Sequence, residues 1–258
     1  MVKRFREAAR ERRTGDVVLL DGAHLVAEAL DSQVRLDTIA VTADAASGPL
    51  ADLAARCAAA GARVLTVADS LLTAMSPVRH PSGIVALAHL GGTPLDAALA
   101  EHPPQLVVFL DAVQDPGNVG AIIRTAEACG ATAVAAGPGT ADPFGWKALR
   151  GSMGSALRVP VASVDDLGLA LRAARGAGLR IVAAVPRGGT PLGASDLSRP
   201  LGIVVGGEGA GVSHATLANV DEMLTIQIRP HVESLNVSVA AAIVLYETSR
   251  QRADVAVR

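Results

Sequence analysis

Residues 106–136 read LVVFLDAVQDPGNVGAIIRTAEACGATAVAA, and this stretch decides the fold class. Its opening, LVVFL at 106–110, is an unbroken apolar run typical of a buried strand. A polar turn follows, then a helical pattern from Asn118 to Cys129, then a second apolar run, TAVAA at 132–136. Two buried strands that flank a helix predict a β-α-β unit whose strands lie parallel in one sheet.

The same alternation continues to the end of the chain. Further strands are predicted at three apolar runs: RIVAAV at 180–185, LGIVV at 201–205 and LTIQI at 224–228. Helices are predicted at 146–152, at 165–175 and over NVSVAAAIVLYETSRQ, the last capped by Asn236 or Ser234. The pattern therefore predicts an α/β domain with a parallel sheet covered by helices on both faces.

The first ninety residues form a second α/β pattern. Strands are predicted at VVLL 17–20, TIAV 38–41, RVLTV 63–67 and GIVALA 83–88. Helices are predicted at HLVAEAL and at PLADLAARCAAA, which ends at Gly61, with a short turn from Ser70. The segment LGGTPL at 90–95 suits a linker, so we expect one domain over 1–92 and another over 93–258.

Composition limits the classes of protein that fit. The chain has 258 residues and a net charge of −2, and no apolar run approaches the roughly 18 residues of a membrane span. The N-terminus lacks the apolar core of a signal peptide, so we expect a cytoplasmic protein. The two cysteines, Cys57 and Cys129, and six scattered histidines do not suggest a disulfide framework or a metal site.

Positive charge concentrates at the N-terminus. One predicted helix, residues 3–13, carries six basic residues against Glu7 and Glu11: Lys3, Arg4, Arg6, Arg10, Arg12 and Arg13. Its net charge is 6 − 2 = +4. The helix is either a phosphate-binding element or a solvated amphipathic helix, and the sequence leaves both readings open.

Ligands of α/β sheets bind beyond the carboxyl ends of strands, and three loops there stand out. In the first, polar residues precede a helix that carries Arg124; Asn118 is either a site residue or a plain N-cap, and Arg124 either a site residue or a partner of Glu127 or Asp111. The second, VVGGEGAGVS at 204–213, places glycines around Glu208. The third crowds Glu233, Ser234 and Asn236 at the start of the last helix.

The second loop bears on two other enzyme classes. Its glycines do not follow G-x-G-x-x-G, which weakens the hypothesis of a nicotinamide-dependent oxidoreductase. The stretch Gly211–Val212–Ser213–His214–Ala215 approaches a hydrolase nucleophile elbow, but Ala215 replaces the final glycine.

Taken in order, the three loops resemble the three motifs of the SpoU/TrmH family of RNA 2′-O-ribose methyltransferases, within the SPOUT superfamily. The family patterns are N-x-G-x-x-x-R, G-x-E-x-x-G and S-L-N-V-S, and the matching residues are Asn118, Gly120 and Arg124; Gly206, Glu208 and Gly211; and Ser234, Leu235, Asn236, Val237 and Ser238. The intervening segment, with Lys147, Arg150 and Ser152, is also similar. RERRTGDVVLLDGAHLVAEAL and MSPVRHPSGIVAL resemble the family's small RNA-substrate-binding domain.

The resemblance implies an S-adenosylmethionine-dependent enzyme, a homodimer and a deep trefoil knot in the C-terminal domain, with no metal. It assigns catalysis to Asn118, Arg124, Glu208, Ser234 and Asn236. Cofactor binding falls to Val185, Pro186, Gly206, Glu208, Gly209, Ile226, Ile228, Ser234, Leu235 and Asn236. Because a guanidinium stays protonated, Arg124 is expected to stabilise developing negative charge, not to act as a base.

The RNA target follows from the N-terminal resemblance, which favours rRNA, with tRNA as the alternative. A non-catalytic RNA-binding assembly factor is a second alternative, opposed by the retained motif residues. The chain departs from the family where Gln227 and Pro230 replace a proline and a glycine, and where Gly207 replaces a polar residue.

Overall fold

The computed structural model describes residues 1–10, 15–100 and 106–256, with side chains through residue 254. Arg12 and Arg13 of the predicted basic helix lie outside the described residues. The α-helices of the described chain are α1 Val2–Ala8, α2 Ala23–Asp31, α3 Ala43–Ser47, α4 Ala51–Ala59, α5 Asp69–Met75, α6 Leu95–Ala100, α7 Pro116–Ala128, α8 Trp146–Ser152, α9 Leu167–Gly176, α10 His214–Leu217 and α11 Val237–Ala256.

The strands of the described chain follow the same order. They are β1 Val17–Asp21, β2 Arg35–Thr42, β3 Arg63–Val67, β4 Ile84–His89, β5 Leu106–Asp111, β6 Ala133–Ala136, β7 Val161–Ser163, β8 Arg180–Ala184, β9 Thr190–Pro191, β10 Leu201–Gly206 and β11 Glu222–Thr225. The chain divides into two compact units, one of Met1–Gly91 with Asp142–Arg158, the other of Gly92–Ala141 with Val159–Arg258. The functional division at residues 92 and 93 stays a prediction.

The first unit is built on a four-stranded sheet in the order β1-β4-β2-β3. β4 pairs antiparallel with β1 and β2, and β2 pairs parallel with β3. Its core includes Phe5, Leu19, Met75 and Leu87, with Trp146 packed against it. Residues 142–158 therefore fold with the first unit although the sequence around them belongs to the second.

Helix α1 is shorter than the predicted basic helix. Arg4 Nη2 donates to Asp37 Oδ2 at 2.8 Å, and Arg6 Nε donates to the Ala74 carbonyl at 2.9 Å. Lys3 Nζ lies 3.9 Å from Glu7 Oε1. These cations have partners within the protein, and phosphate binding by the helix stays a prediction.

The second unit contains the predicted parallel sheet, which is confirmed. Seven strands lie in the order β7-β6-β5-β10-β8-β11-β9, and every pair is parallel. β5 is fully buried, as expected for a strand covered on both faces. Residues from α6 and α9 pack on one face, while α11 packs against α7 and contacts β8 and β10.

Three local predictions change in the structure. The strand predicted at 224–228 is found at Glu222–Thr225. Residues 226–228 therefore lie outside the strand and form a loop. Helix α7 begins at Pro116 and is capped by Asp115, whose Oδ1 accepts from Asn118 N at 2.8 Å. The turn predicted from Ser70 is helix α5. No described helix is long and apolar enough to cross a membrane.

Candidate active site

A cavity of about 610 Å³ lies in the second unit, at the carboxyl ends of β8 and β10. The loop after β8, the glycine loop after β10 and the segment that leads into α11 all contribute to its wall. The wall includes every residue predicted to bind the cofactor: Val185, Pro186, Gly206, Glu208, Gly209, Ile226, Ile228, Ser234, Leu235 and Asn236. The second and third sequence motifs therefore meet at one edge of the sheet, where parallel α/β folds bind ligands.

A chain of side-chain hydrogen bonds joins the three motifs. Asn118 Nδ2 donates to Glu208 Oε1 at 2.6 Å, and Asn236 Nδ2 donates to Asn118 Oδ1 at 3.2 Å. The backbone N–H of Gln114 donates to Glu208 Oε2 at 3.2 Å. Because a carboxylate only accepts, Glu208 fixes which end of the Asn118 amide faces it, and Asn118 in turn fixes Asn236.

Asn236 also begins the last helix. Its Oδ1 accepts from the backbone N–H groups of Ser238 at 2.9 Å and Val239 at 3.3 Å. Of the two predicted caps, Asn236 and Ser234, the structure selects Asn236. The Asn236 side-chain amide therefore both caps α11 and contacts Asn118 of the first motif.

The Glu208 carboxyl is held in its ionised form. Partial burial acts to raise the pKa of Glu208, but hydrogen bonds from the Asn118 amide and from the backbone of Glu208 and Gln114 outweigh it. The pKa of Glu208 therefore lies below its ordinary value. At neutral pH this group is a hydrogen-bond acceptor and a weak base.

Asp111, at the end of β5, forms two hydrogen bonds with the glycine loop, residues 206–213. The Asp111 carbonyl accepts from Gly207 N at 2.8 Å, and Asp111 Oδ2 accepts from Ser213 N at 2.8 Å. The sequence predicts Asp111 in the turn after the strand or as a partner of Arg124, and does not predict its contact with the glycine loop. The available signal was a carboxylate at the end of a buried strand, a position that requires hydrogen-bond partners.

Ser213, the centre of the near-match to a nucleophile elbow, has a structural role. It is the N-cap of α10, where its Oγ accepts from Thr216 N at 3.2 Å and also bonds to Thr216 Oγ1 at 2.9 Å. These contacts account for Ser213 without a hydrolase.

Backbone packing explains the glycine at position 207. A Cβ atom there would lie 2.0 Å from the Ala112 carbonyl oxygen. Ala112 itself has φ 55°, a left-handed conformation that aims its carbonyl at the glycine loop. A Cβ at Gly206 would meet Gly211 and Val212 backbone atoms at 2.1 and 2.2 Å. The family commonly has a polar residue where this chain has Gly207. The close approach of the chain segments that contain Gly207 and Ala112 explains the glycine.

Arg124 lies apart from the other predicted catalytic residues. It is exposed on α7, and it is absent from the described cavity wall. The helical rise puts it about 9 Å along α7 from Asn118. Ser234 lies on the wall, while Arg124 does not join the hydrogen-bond chain. The described residues also contain no group of three metal-ligating side chains.

The fold and the site define an α/β protein with a parallel sheet and a candidate ligand cavity between three loops at the carboxyl ends of its strands. Two family models match the chain: the SpoU rRNA Methylase family over residues 105–246 and the MRM3-like substrate binding domain over residues 1–86. The chain belongs to the SpoU rRNA methylase family.

Related proteins align along most of the chain. The 23S rRNA (guanosine(2553)-2′-O)-methyltransferase RlmP of Bacillus subtilis is 35% identical, and the match covers 92% of this chain and 90% of RlmP. An AdoMet-bound rRNA methyltransferase from Sinorhizobium meliloti is 29% identical with a TM-score of 0.84, covering 96% and 94%. The SpoU methyltransferase AviRb from Streptomyces viridochromogenes, in complex with AdoMet, is 25% identical with a TM-score of 0.85, covering 97% and 98%.

Replacing Gly207 by serine is expected to disrupt the glycine loop, because the new Cβ would overlap the Ala112 carbonyl. We expect a loss of about 1–3 kcal/mol in the free energy of unfolding, or displacement of the loop with weakened ligand binding. Urea denaturation and cofactor titration measure the two effects. The control is Gly193→Ser, where a Cβ meets no atom within 4 Å. Equal behaviour of both variants would contradict the packing argument.

Proposed function

We propose that this protein transfers a methyl group from S-adenosylmethionine to a ribose 2′-hydroxyl of RNA, with ribosomal RNA as the substrate. The observation that carries the proposal is a cavity lined by the second and third motifs, whose Glu208 and Asn236 both form hydrogen bonds with Asn118 of the first motif. The names of RlmP and of the Sinorhizobium protein support rRNA as the target class.

The cavity fits the cofactor in chemistry and size. Aliphatic side chains of Val185, Ile226, Ile228 and Leu235 offer the apolar cover that an adenine ring needs. Gly209 has φ 84°, and nothing lies within 4 Å of where its Cβ would be, so the backbone there faces open space. The volume of the cavity, about 610 Å³, lies within the usual range of about 300–1,000 Å³ for small-molecule sites.

Methyl transfer needs positioning more than covalent assistance. The cofactor would supply a methyl group on a sulfonium. A carbon–oxygen bond to the ribose would replace the carbon–sulfur bond, leaving a neutral thioether, and the 2′-hydroxyl proton would pass to water. Asn118 and Asn236 have fixed amide orientations and are suited to hold the ribose in line with the methyl group. Glu208 orients Asn118 and is a poor acceptor for the hydroxyl proton, because hydrogen bonds lower its pKa.

Arg124 is assigned to the acceptor side of the reaction. Its guanidinium stays charged and can stabilise the developing alkoxide or orient a neighbouring phosphate. Its exposure on α7, away from the cavity wall, is compatible with contact to RNA and not to the cofactor.

A homodimer is the second element of the proposal. On α11, Val239, Ile243 and Tyr246 are 47%, 36% and 67% exposed. Their spacing places them on one face of the helix, where they form an unpaired apolar stripe. A second copy of this chain, packed through the same stripe, would cover it by two-fold symmetry. Because α11 starts at Val237, directly after its cap Asn236, this interface would adjoin the site.

The location of the substrate sets the location of the enzyme. Ribosomal RNA is available in the cytoplasm, and we place the protein there. The structure describes two units, and the matched substrate binding domain over residues 1–86 lies within the first. This arrangement supports a protein that recognises RNA with one unit and modifies it with the other.

Incubation with labelled S-adenosylmethionine tests the reaction and the substrate class. Total rRNA and total tRNA, each from cells that lack the protein, are the two acceptors, and nucleoside analysis identifies the product. We expect a labelled 2′-O-methyl nucleoside in rRNA alone. Label in tRNA alone would move the proposal to tRNA. Cofactor binding without transfer to either pool or to intact ribosomal subunits would favour the non-catalytic assembly factor.

Arg124→Ala is expected to reduce methyl transfer about a hundredfold or more, because it removes charge stabilisation at the acceptor oxygen. The dissociation constant for S-adenosylmethionine should change less than about twofold, since Arg124 is off the cavity wall. Arg199→Ala, at a cation 77% exposed, is the matched control. Equal losses of cofactor affinity and turnover in Arg124→Ala would contradict the acceptor-side role.

Ile243→Glu tests the dimer, because it places a charge in the middle of the α11 stripe. The wild-type protein should have the mass of two chains in light scattering, and the variant the mass of one. Leu169→Glu, at an apolar residue 58% exposed on α9, should remain dimeric. A monomeric wild type, or a dimeric Ile243→Glu protein, would rule out this interface.

A further inference from the structure

The described cavity wall carries two charged side chains, Arg187 on the loop after β8 and Glu208 on the loop after β10. The remaining wall is apolar side chains, backbone and the neutral polar residues Ser234 and Asn236. S-adenosylmethionine at neutral pH carries one carboxylate, one ammonium and one sulfonium. Any site that takes in the carboxylate must supply hydrogen-bond donors to it, because an unpaired buried charge is costly.

Several backbone donors near the cavity already have partners. Asn236 Oδ1 accepts from the N–H groups of Ser238 and Val239 at the start of α11. In the glycine loop, Gly207 N donates to the Asp111 carbonyl, and Gly211 N donates to the Gly207 carbonyl. The helix start and both ends of the loop are thus poor candidates for binding the carboxylate.

Among the described residues, the Arg187 guanidinium forms one long hydrogen bond. Its Nη2 donates to the Pro230 carbonyl at 3.5 Å, a long hydrogen bond. A guanidinium has five N–H groups in a planar fork that matches a carboxylate. Among the described side chains, no carboxylate forms a salt bridge with Arg187. The Pro230 carbonyl orients the side chain and leaves most of the fork available.

The two charged side chains of the wall, Arg187 and Glu208, have opposite signs and therefore attract different groups of the ligand. Glu208 is held ionised by Asn118 and Gln114, so it repels a carboxylate and favours the sulfonium. Arg187 has the opposite preference. We propose that Arg187 binds the carboxylate of the amino-acid half of S-adenosylmethionine, an inference that rests on the proposed function.

A matched pair of ligands isolates this contact. Decarboxylated S-adenosylmethionine keeps the adenosine, sulfonium and amine and lacks only the carboxylate. Isothermal titration calorimetry of the full-length protein measures the affinity of each ligand. The wild type should bind S-adenosylmethionine about tenfold more tightly than the decarboxylated form, as expected for one charge-assisted hydrogen-bonded pair.

Arg187→Ala should lose about tenfold in affinity for S-adenosylmethionine and less than about twofold for the decarboxylated ligand. Arg187→Lys, which keeps the charge without the fork, should recover part of the loss. Arg229→Ala removes a nearby exposed cation that is absent from the described wall, and it should leave both affinities unchanged.

Three other results would overturn the inference in different ways. Equal losses for both ligands in Arg187→Ala would mean that Arg187 acts through the Pro230 segment. No loss for either ligand would assign the carboxylate to backbone amides. If the wild type binds neither ligand, the proposed cofactor site fails as a whole, and the inference fails with it.

Discussion

The site depends on β5 and β10 being adjacent parallel strands. Their pairing runs from Leu106 opposite Leu201 to Asp111 opposite Gly206, so both strands end at the same level. The chain segments that carry the first and second motifs follow these two strand ends, although they are far apart in the sequence. That adjacency lets Asn118 Nδ2 reach Glu208 Oε1 at 2.6 Å. A shift of this register would separate the amide from the carboxylate.

Close backbone contact maintains this arrangement. Gly207 N bonds to the Asp111 carbonyl, and the glycine approaches the Ala112 carbonyl more closely than any side chain would permit. The left-handed backbone at Ala112 is the local cost of that approach, of about 1–3 kcal/mol for such conformations. Such strain persists where the surrounding structure overrides it, and here Asp111 bonds to both ends of the glycine loop.

The third motif is connected to the first motif through Asn236, the cap of α11. Asn236 offers its oxygen to the first amides of α11 and its nitrogen to Asn118. An aspartate would cap the helix equally well, but its carboxylate could not donate to Asn118 Oδ1. The amide is therefore needed because the position serves two partners. The irregular chain at 226–228 contributes Ile226 and Ile228 to the same cavity wall.

Residues 142–158 illustrate a limit of local patterns. Helix α8 was predicted at 146–152 and is found there. Its packing in the first unit, with Trp146 against a core that contains Phe5 and Leu87, is a long-range contact. Amphipathic periodicity shows which face of a helix is apolar, but it does not say which of two cores that face will join.

The sequence alone determined the strand and helix alternation, the parallel sheet and the three motifs, because apolar runs and turn residues act over short distances. It also narrowed the cap of the last helix to Asn236 or Ser234. Tertiary structure decided that the Asn118 amide meets Glu208, that Asp111 anchors the glycine loop, and that Arg124 lies off the cavity wall. Each of these depends on which strands become neighbours, and strand neighbours are chosen by the burial of whole elements, which no local pattern records.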